Sequence, residues 1–148
     1  MNLSFKILAR RRSLSLLFVV AIALATIVPA SAIAGDSQAS AYIIWPHDGA
    51  QVSTTFTAVF GLRGMGVAPA GTKKAKTGHF HLIIDSALPP AGKAIGKSDK
   101  LRHFGGGQTE ATVKLSKGKH TLQLMMGDHN HVPHKPAVTS KKITVWVQ

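Results

Sequence analysis

His79 and His81 stand one residue apart in the apolar stretch Gly78-His-Phe-His-Leu-Ile-Ile-Asp85. His129, His131 and His134 fall within six residues in Gly127-Asp-His-Asn-His-Val-Pro-His134. Neutral imidazole is a ligand for copper, zinc, iron and nickel, and thioether sulfur adds a preference for Cu(I). On a strand, residues i and i+2 point the same way with Cβ atoms about 7 Å apart, so His79 and His81 form one bidentate arm. The three loop histidines form a second arm, beside Asp128. Met125 is the thioether candidate, whereas Met126 reads as core. His103 precedes Gly105-Gly106-Gly107 and can close over the site. Pro133 and Pro136 lower the entropy of the loop, which favours a preformed ligand set. Ligand histidines must be neutral, so affinity is expected to fall as the pH drops through about 6.5. The competing reading is structural: histidines on a solvent-facing strand, and loop histidines that cap turns or bond carbonyls.

These residues need strands to position them. In Gly78–Asp85 the period of two sends Phe80, Leu82 and Ile84 to one face, read as core, and His79, His81 and Ile83 to the other. Residues 120–126 divide likewise, with His120, Leu122, Leu124 and Met126 together and Thr121, Gln123 and Met125 opposite. Further strands are expected at Ala41–Trp45, Val52–Leu62, Leu101–Phe104, Thr109–Leu115 and Val138–Val147. Pro46-His-Asp-Gly-Ala50 is turn chemistry, with His47 incidental. Gly61–Lys76 reads as a long loop and Ser86–Gly96 as irregular. No amphipathic helix is evident after the N-terminal segment. About seven short strands in about 110 residues predict an all-β, immunoglobulin-like β-sandwich, with a β-barrel as the rival. Leu115-Ser-Lys-Gly-Lys-His120 has the form of the corner where immunoglobulin domains place a tyrosine, so His120 is expected to bond backbone there.

The N-terminus reads as a secretory signal helix rather than part of the fold. Lys6, Arg10, Arg11 and Arg12 precede an apolar run, Leu14–Val28, and small-x-small sites end at Ala32 and Ala34. Arg11-Arg12 resembles a twin-arginine export signal only weakly. The expected organisation is a cleaved signal peptide at 1–34, a flexible mature N-terminus at 35–40 and a sandwich domain at 41–148. The protein is then periplasmic or secreted. There is no cysteine in the 148 residues, which excludes disulfides, thiolate metal sites and cysteine nucleophiles.

After Ala34 there remain 14 of the 18 Lys and Arg and all six acids, a net charge of +8. Such a balance suits solubility or an anionic envelope surface. No nucleic-acid motif or interleaved aromatic pattern is present, so nucleic acid is not an expected partner. Enzyme signatures are poor. The triple glycine precedes no helix, and neither Gly-x-Ser-x-Gly nor His-Glu-x-x-His occurs. No pair of acids recommends itself for glycoside hydrolysis.

From Pro46 to the end the chain resembles an uncharacterised family of small exported bacterial β domains. The carrying motifs are Phe60-Gly-Leu-Arg-Gly-Met-Gly-Val-Ala-Pro-Ala-Gly71, Gly78-His-Phe-His-Leu82, His103-Phe-Gly-Gly-Gly-Gln-Thr-Glu-Ala111, and His120-Thr-Leu-Gln-Leu124 with the histidine loop. The resemblance implies an exported β domain, and a third histidine in many relatives where Phe80 stands here. A looser likeness is to periplasmic copper carriers built on immunoglobulin-like sandwiches. It rests on the Pro-x-Asp-Gly-Ala turn and implies the fold, since the ligand spacings differ. The expected function is a periplasmic metal-binding domain, a carrier, buffer or sensor, with copper ahead of zinc. Its ligands would be drawn from His79, His81, His103, His129, His131, His134 and Met125. A metal donor or acceptor protein is the expected partner. The alternatives are a non-catalytic basic envelope module without metal, and a copper redox enzyme resembling superoxide dismutase.

Overall fold

Alternation of apolar and polar residues makes one face of each strand sticky, and two sheets bury those faces against each other. The structure, a computed structural model, describes residues 38–148. The signal segment expected at 1–34 lies outside the described residues. Among these there is no helix, and the strands form two sheets. The smaller has three antiparallel strands: β1 (Ser40–Trp45), β3 (Thr55–Arg63) and β7 (Glu110–Lys114), in the order β1-β3-β7. The larger contains β2 (Ala50–Val52), β9 (Ile143–Val147), β8 (Gly118–Gly127) and β5 (Thr77–Ile84), in that spatial order. The far edge of β5 is shared. β4 (Gly66–Val67) pairs with its start and β6 (Leu101–His103) with its end.

The main core is one cluster drawn from both sheets. Phe56, Ala58, Phe60 and Val113 meet Phe80, Leu82, Ile84, Leu122, Leu124, Met126, Val145 and Val147. Phe80, Leu82, Leu122, Leu124 and Met126 are fully buried. Each such side chain contributes roughly 1.5–3 kcal/mol by leaving water. The expected core face of β5 is therefore the observed one, and all-β sandwich architecture is correct.

The differences from expectation are local. Among the described residues nine strands replace seven. The stretch read as one strand over 52–62 is broken at Ser53–Thr54 into β2 and β3, and the stretch read as loop over 61–76 holds β4. Ser40, placed in a flexible terminus, opens β1. Val138–Val147 is interrupted: Thr139 bridges Met125 and Ile143 pairs with Leu122, so the register along β8 shifts by one residue. The Ser140 hydroxyl spans this break, accepting from the Leu124 N–H (2.8 Å) and donating to the Lys141 carbonyl (2.7 Å). The turn at 46–50 forms as expected. Gly49 is left-handed (φ 80°), and Asp48 Oδ1 accepts the Thr144 N–H at 2.8 Å, tying the turn to β9.

His120 occupies its expected corner. Its Nε2 donates to the Ser116 carbonyl at 2.9 Å, while Nδ1 meets Asp85 Oδ2 at 2.6 Å. Asp85 Oδ1 takes the Thr121 N–H at 2.7 Å. Burial acts to raise the Asp85 pKa, but these donors outweigh it and hold the carboxyl below its ordinary value. Ser116 Oγ lies 3.3 Å from Nε2. With Nε2–H committed to a carbonyl, no lone pair is left to activate that hydroxyl, so the row Ser116, His120, Asp85 is a brace.

Candidate metal centre

The outer face of β5 is not open to water. Ile83, Ile95 and Met125 form a second small buried cluster there, with Leu101 against it. Beside it on the same strand stand His79 and His81, each 0% exposed. His81 pairs across the sheet with Met125 on one side and with His103 on the other. The loop after β8 then covers the group with His131.

That loop is held by Asp128. Its Oδ1 accepts the N–H groups of Asn130 (2.8 Å) and Val132 (2.9 Å), and its carbonyl accepts the His131 N–H at 2.9 Å. His131 adopts the left-handed conformation, φ 66°, which costs a non-glycine residue about 1–2 kcal/mol. The His131 carbonyl accepts the Ile95 N–H at 2.8 Å, joining the two covering loops.

Four imidazoles converge. The Nε2 atoms of His79 and His81 are 3.1 Å apart. One ring nitrogen each from His79, His81 and His103 lies within 4.8 Å of the others. The His131 ring centroid is 4.8 Å from that of His103, 4.9 Å from His79 and 6.0 Å from His81. A tetrahedral ion with bonds of about 2.0–2.1 Å spaces its ligand atoms about 3.3 Å apart. The β5 pair already stands near that spacing.

Two glycines make room. A Cβ on Gly127 would lie 2.9 Å from His81 Nε2 and 3.2 Å from the His131 Cα, and one on Gly105 would overlap the His103 ring.

Buried polar atoms are ordinarily partnered. Here His79 Nδ1, His81 Nδ1 and His103 Nε2 are buried with no hydrogen-bond partner, as is His134 Nε2 beside Gly78. Burial first, then the neighbouring imidazoles, pushes His79 down to about 4 and His81 to about 3. Burial, His131 and the Lys97 ammonium lower His103 as well. The strand histidines are therefore neutral near pH 7, the state in which imidazole binds metals.

The structure groups the histidines differently from the two arms read in the sequence. His79, His81, His103 and His131 come together, and His103 is a full member rather than a flap. His129 makes none of these ring contacts. Its carbonyl takes the Gly71 N–H at 3.0 Å and its Nδ1 is 3.9 Å from Asp128 Oδ2. His134 joins none of these ring pairs: its Nε2 lies 2.8 Å from where a Cβ on Gly78 would stand, and it lines a cavity with Met65, Lys76 and Lys135. Met125 packs with Ile83 and Ile95 on the floor of the site. Two contributors escaped sequence reasoning: Asp128 as the clamp of the loop, and Ile95 as part of the floor. The Asp-x-Asn spacing, which can close a side-chain turn, was the available signal for the first; the second is a long-range contact with no local signal.

No curated protein and no solved structure matches the chain. A family model described as Domain of unknown function (DUF4399) matches residues 58–148, a span that includes all four converging histidines. That span exceeds half of the chain, and the chain belongs to this family.

Proposed function

We propose that this is an exported metal-binding protein that carries, buffers or senses copper, with His79, His81, His103 and His131 as its ligands. The observation that carries the reading is a buried group of three imidazoles, His79 and His81 on β5 and His103 on β6, with one ring nitrogen from each within 4.8 Å of the others and one unpartnered buried nitrogen on each ring. A structural histidine in the same molecule, His120, has both nitrogens satisfied. Leaving a buried polar group unmet costs about 1–3 kcal/mol, a cost the fold bears at His79, His81 and His103. Copper is favoured over zinc because imidazole suits both while the Met125 thioether, cross-strand neighbour of His81, suits copper more. The export segment read in the sequence supports a periplasmic or secreted location, where a metal donor or acceptor protein would be the partner.

Titration of the exported protein with Cu(I), Cu(II) and Zn(II), beside the variant His79→Ala/His81→Ala, tests the proposal. Tight binding of one ion, lost in the variant, is the expected result. Equal binding by both proteins removes it. Salt-sensitive retention on anionic vesicles without metal would favour instead a basic interaction module.

A further inference from the structure

The four imidazoles carry no formal charge when they bind, and this decides more than ligand number. Among the described residues, Asp128 is the one carboxylate that acts on His79 electrostatically. Its Oδ1 is already taken by two backbone N–H groups. Lys97 lies close enough to His103 to disfavour further positive charge there. The floor is Ile83, Ile95 and Met125, all buried. A divalent ion placed here would have the single Asp128 carboxylate to set against its +2, among neighbours that are otherwise apolar or basic. The cost of moving an ion out of water grows with the square of its charge, so a divalent ion sheds about four times the hydration energy of a monovalent one of equal size. The attraction of neutral ligand dipoles grows only in proportion to charge.

From this we infer that the site selects by ionic charge: its cargo is a monovalent soft cation, Cu(I), and divalent ions are disfavoured relative to what four histidines would do in water. This rests on the proposed metal-binding reading and goes beyond it, because histidine ligands alone do not choose an oxidation state. Catalytic zinc sites built on three histidines keep a fourth position for water; here four rings converge and two of them are fully buried.

The test compares ratios rather than single affinities. Cu(I) binding to the exported protein is measured without oxygen against bicinchoninate, and Zn(II) binding against nitrilotriacetate. A flexible tetrahistidine peptide serves as the solvent-exposed reference. The protein's Cu(I)-to-Zn(II) affinity ratio is expected to exceed the peptide's by about tenfold or more. The variant Lys97→Glu, at an exposed position, should narrow that ratio, since a fixed field acts twice as strongly on the divalent ion. Circular dichroism confirms that the variant is folded. A ratio equal to or below the peptide's overturns the charge selection while leaving metal binding intact. If neither ion binds more tightly than to the peptide, the metal-binding reading itself falls. A ratio that exceeds the peptide's but ignores Lys97→Glu overturns charge as its cause.

Discussion

His120 and the His79–His81 pair sit on the same large sheet and are treated in opposite ways. Around His120 every polar atom has an answer. The Ser116 carbonyl and the Asp85 carboxylate take the two ring nitrogens, and Thr121 takes the second carboxylate oxygen. Around His79 and His81 the nearest polar neighbours are other imidazoles, with no carboxylate bonded to either ring. A fold that can satisfy a histidine so completely at one end of β5 leaves two unsatisfied further along it. The difference separates a histidine whose bonds stabilise the domain from histidines that are buried without them.

The contrast can be broken most decisively with metal. At a thousandfold excess over Kd, a ligand that binds only the folded state adds about 4 kcal/mol. In His81→Ala that gain should shrink to about 1.4 kcal/mol or less, with affinity lost by about a hundredfold or more, since even outer partners of metal ligands cost 10–100-fold. His120→Ala should keep the metal-induced shift. Thermal unfolding with and without Cu(I) or Zn(II) reads both, and equal losses would erase the distinction.

Acid should come next. Histidines of the unfolded chain take protons near 6.5, whereas His79 and His81 in the fold do so only at about 4 and 3. Between those values the unfolded state binds more protons, so apo stability must fall as the pH falls from about 6.5 toward 3. Each unit of lowering is worth about 1.4 kcal/mol. Urea unfolding of the metal-free protein across that range should show the slope, and the variant His79→Ala/His81→Ala should flatten it. The same lowering shifts proton competition for metal at these two ligands from the expected 6.5 to lower pH. Asp85 works at the acid extreme with the usual carboxylate sign. Its depressed pKa stabilises the fold above its ordinary 3.8, and that contribution is lost as the pH drops below it.

Smaller effects sharpen the comparison without metal. His81→Leu should raise the apo melting temperature, because it removes an unmet buried polar group worth about 1–3 kcal/mol. His120→Leu should lower it by a similar amount by stranding Asp85. Gly127→Ala places a methyl 2.9 Å from His81 Nε2, and a displaced ligand should weaken metal binding by about tenfold. His129→Ala should leave affinity unchanged, in contrast to His131→Ala two residues later.

What could be read from the chain was what depends on local periodicity. The alternation through Gly78–Ile84 places Phe80, Leu82 and Ile84 in the core and the histidines opposite, because a strand has no freedom to do otherwise. The corner at His120 was legible for the same reason. The choice among the loop histidines was not. It turns on the left-handed backbone of His131 and on the hydrogen bonds of Asp128. Those belong to the folded loop and are not encoded in spacing. The burial of the outer face was hidden as well, since Ile95 reaches it from a segment with no regular pattern. β4, two residues long, carries too little pattern to detect.

The alternation of β5 ties folding to function in one further way. A slip of one residue against β8 would turn the imidazoles into the oily interior and push Phe80 and Leu82 out among the covering loops. The alignment that buries Phe80 and Leu82 is therefore the same one that sets His79 and His81 beside Met125 and Gly127, and a proteolytic test of the first reports on the second.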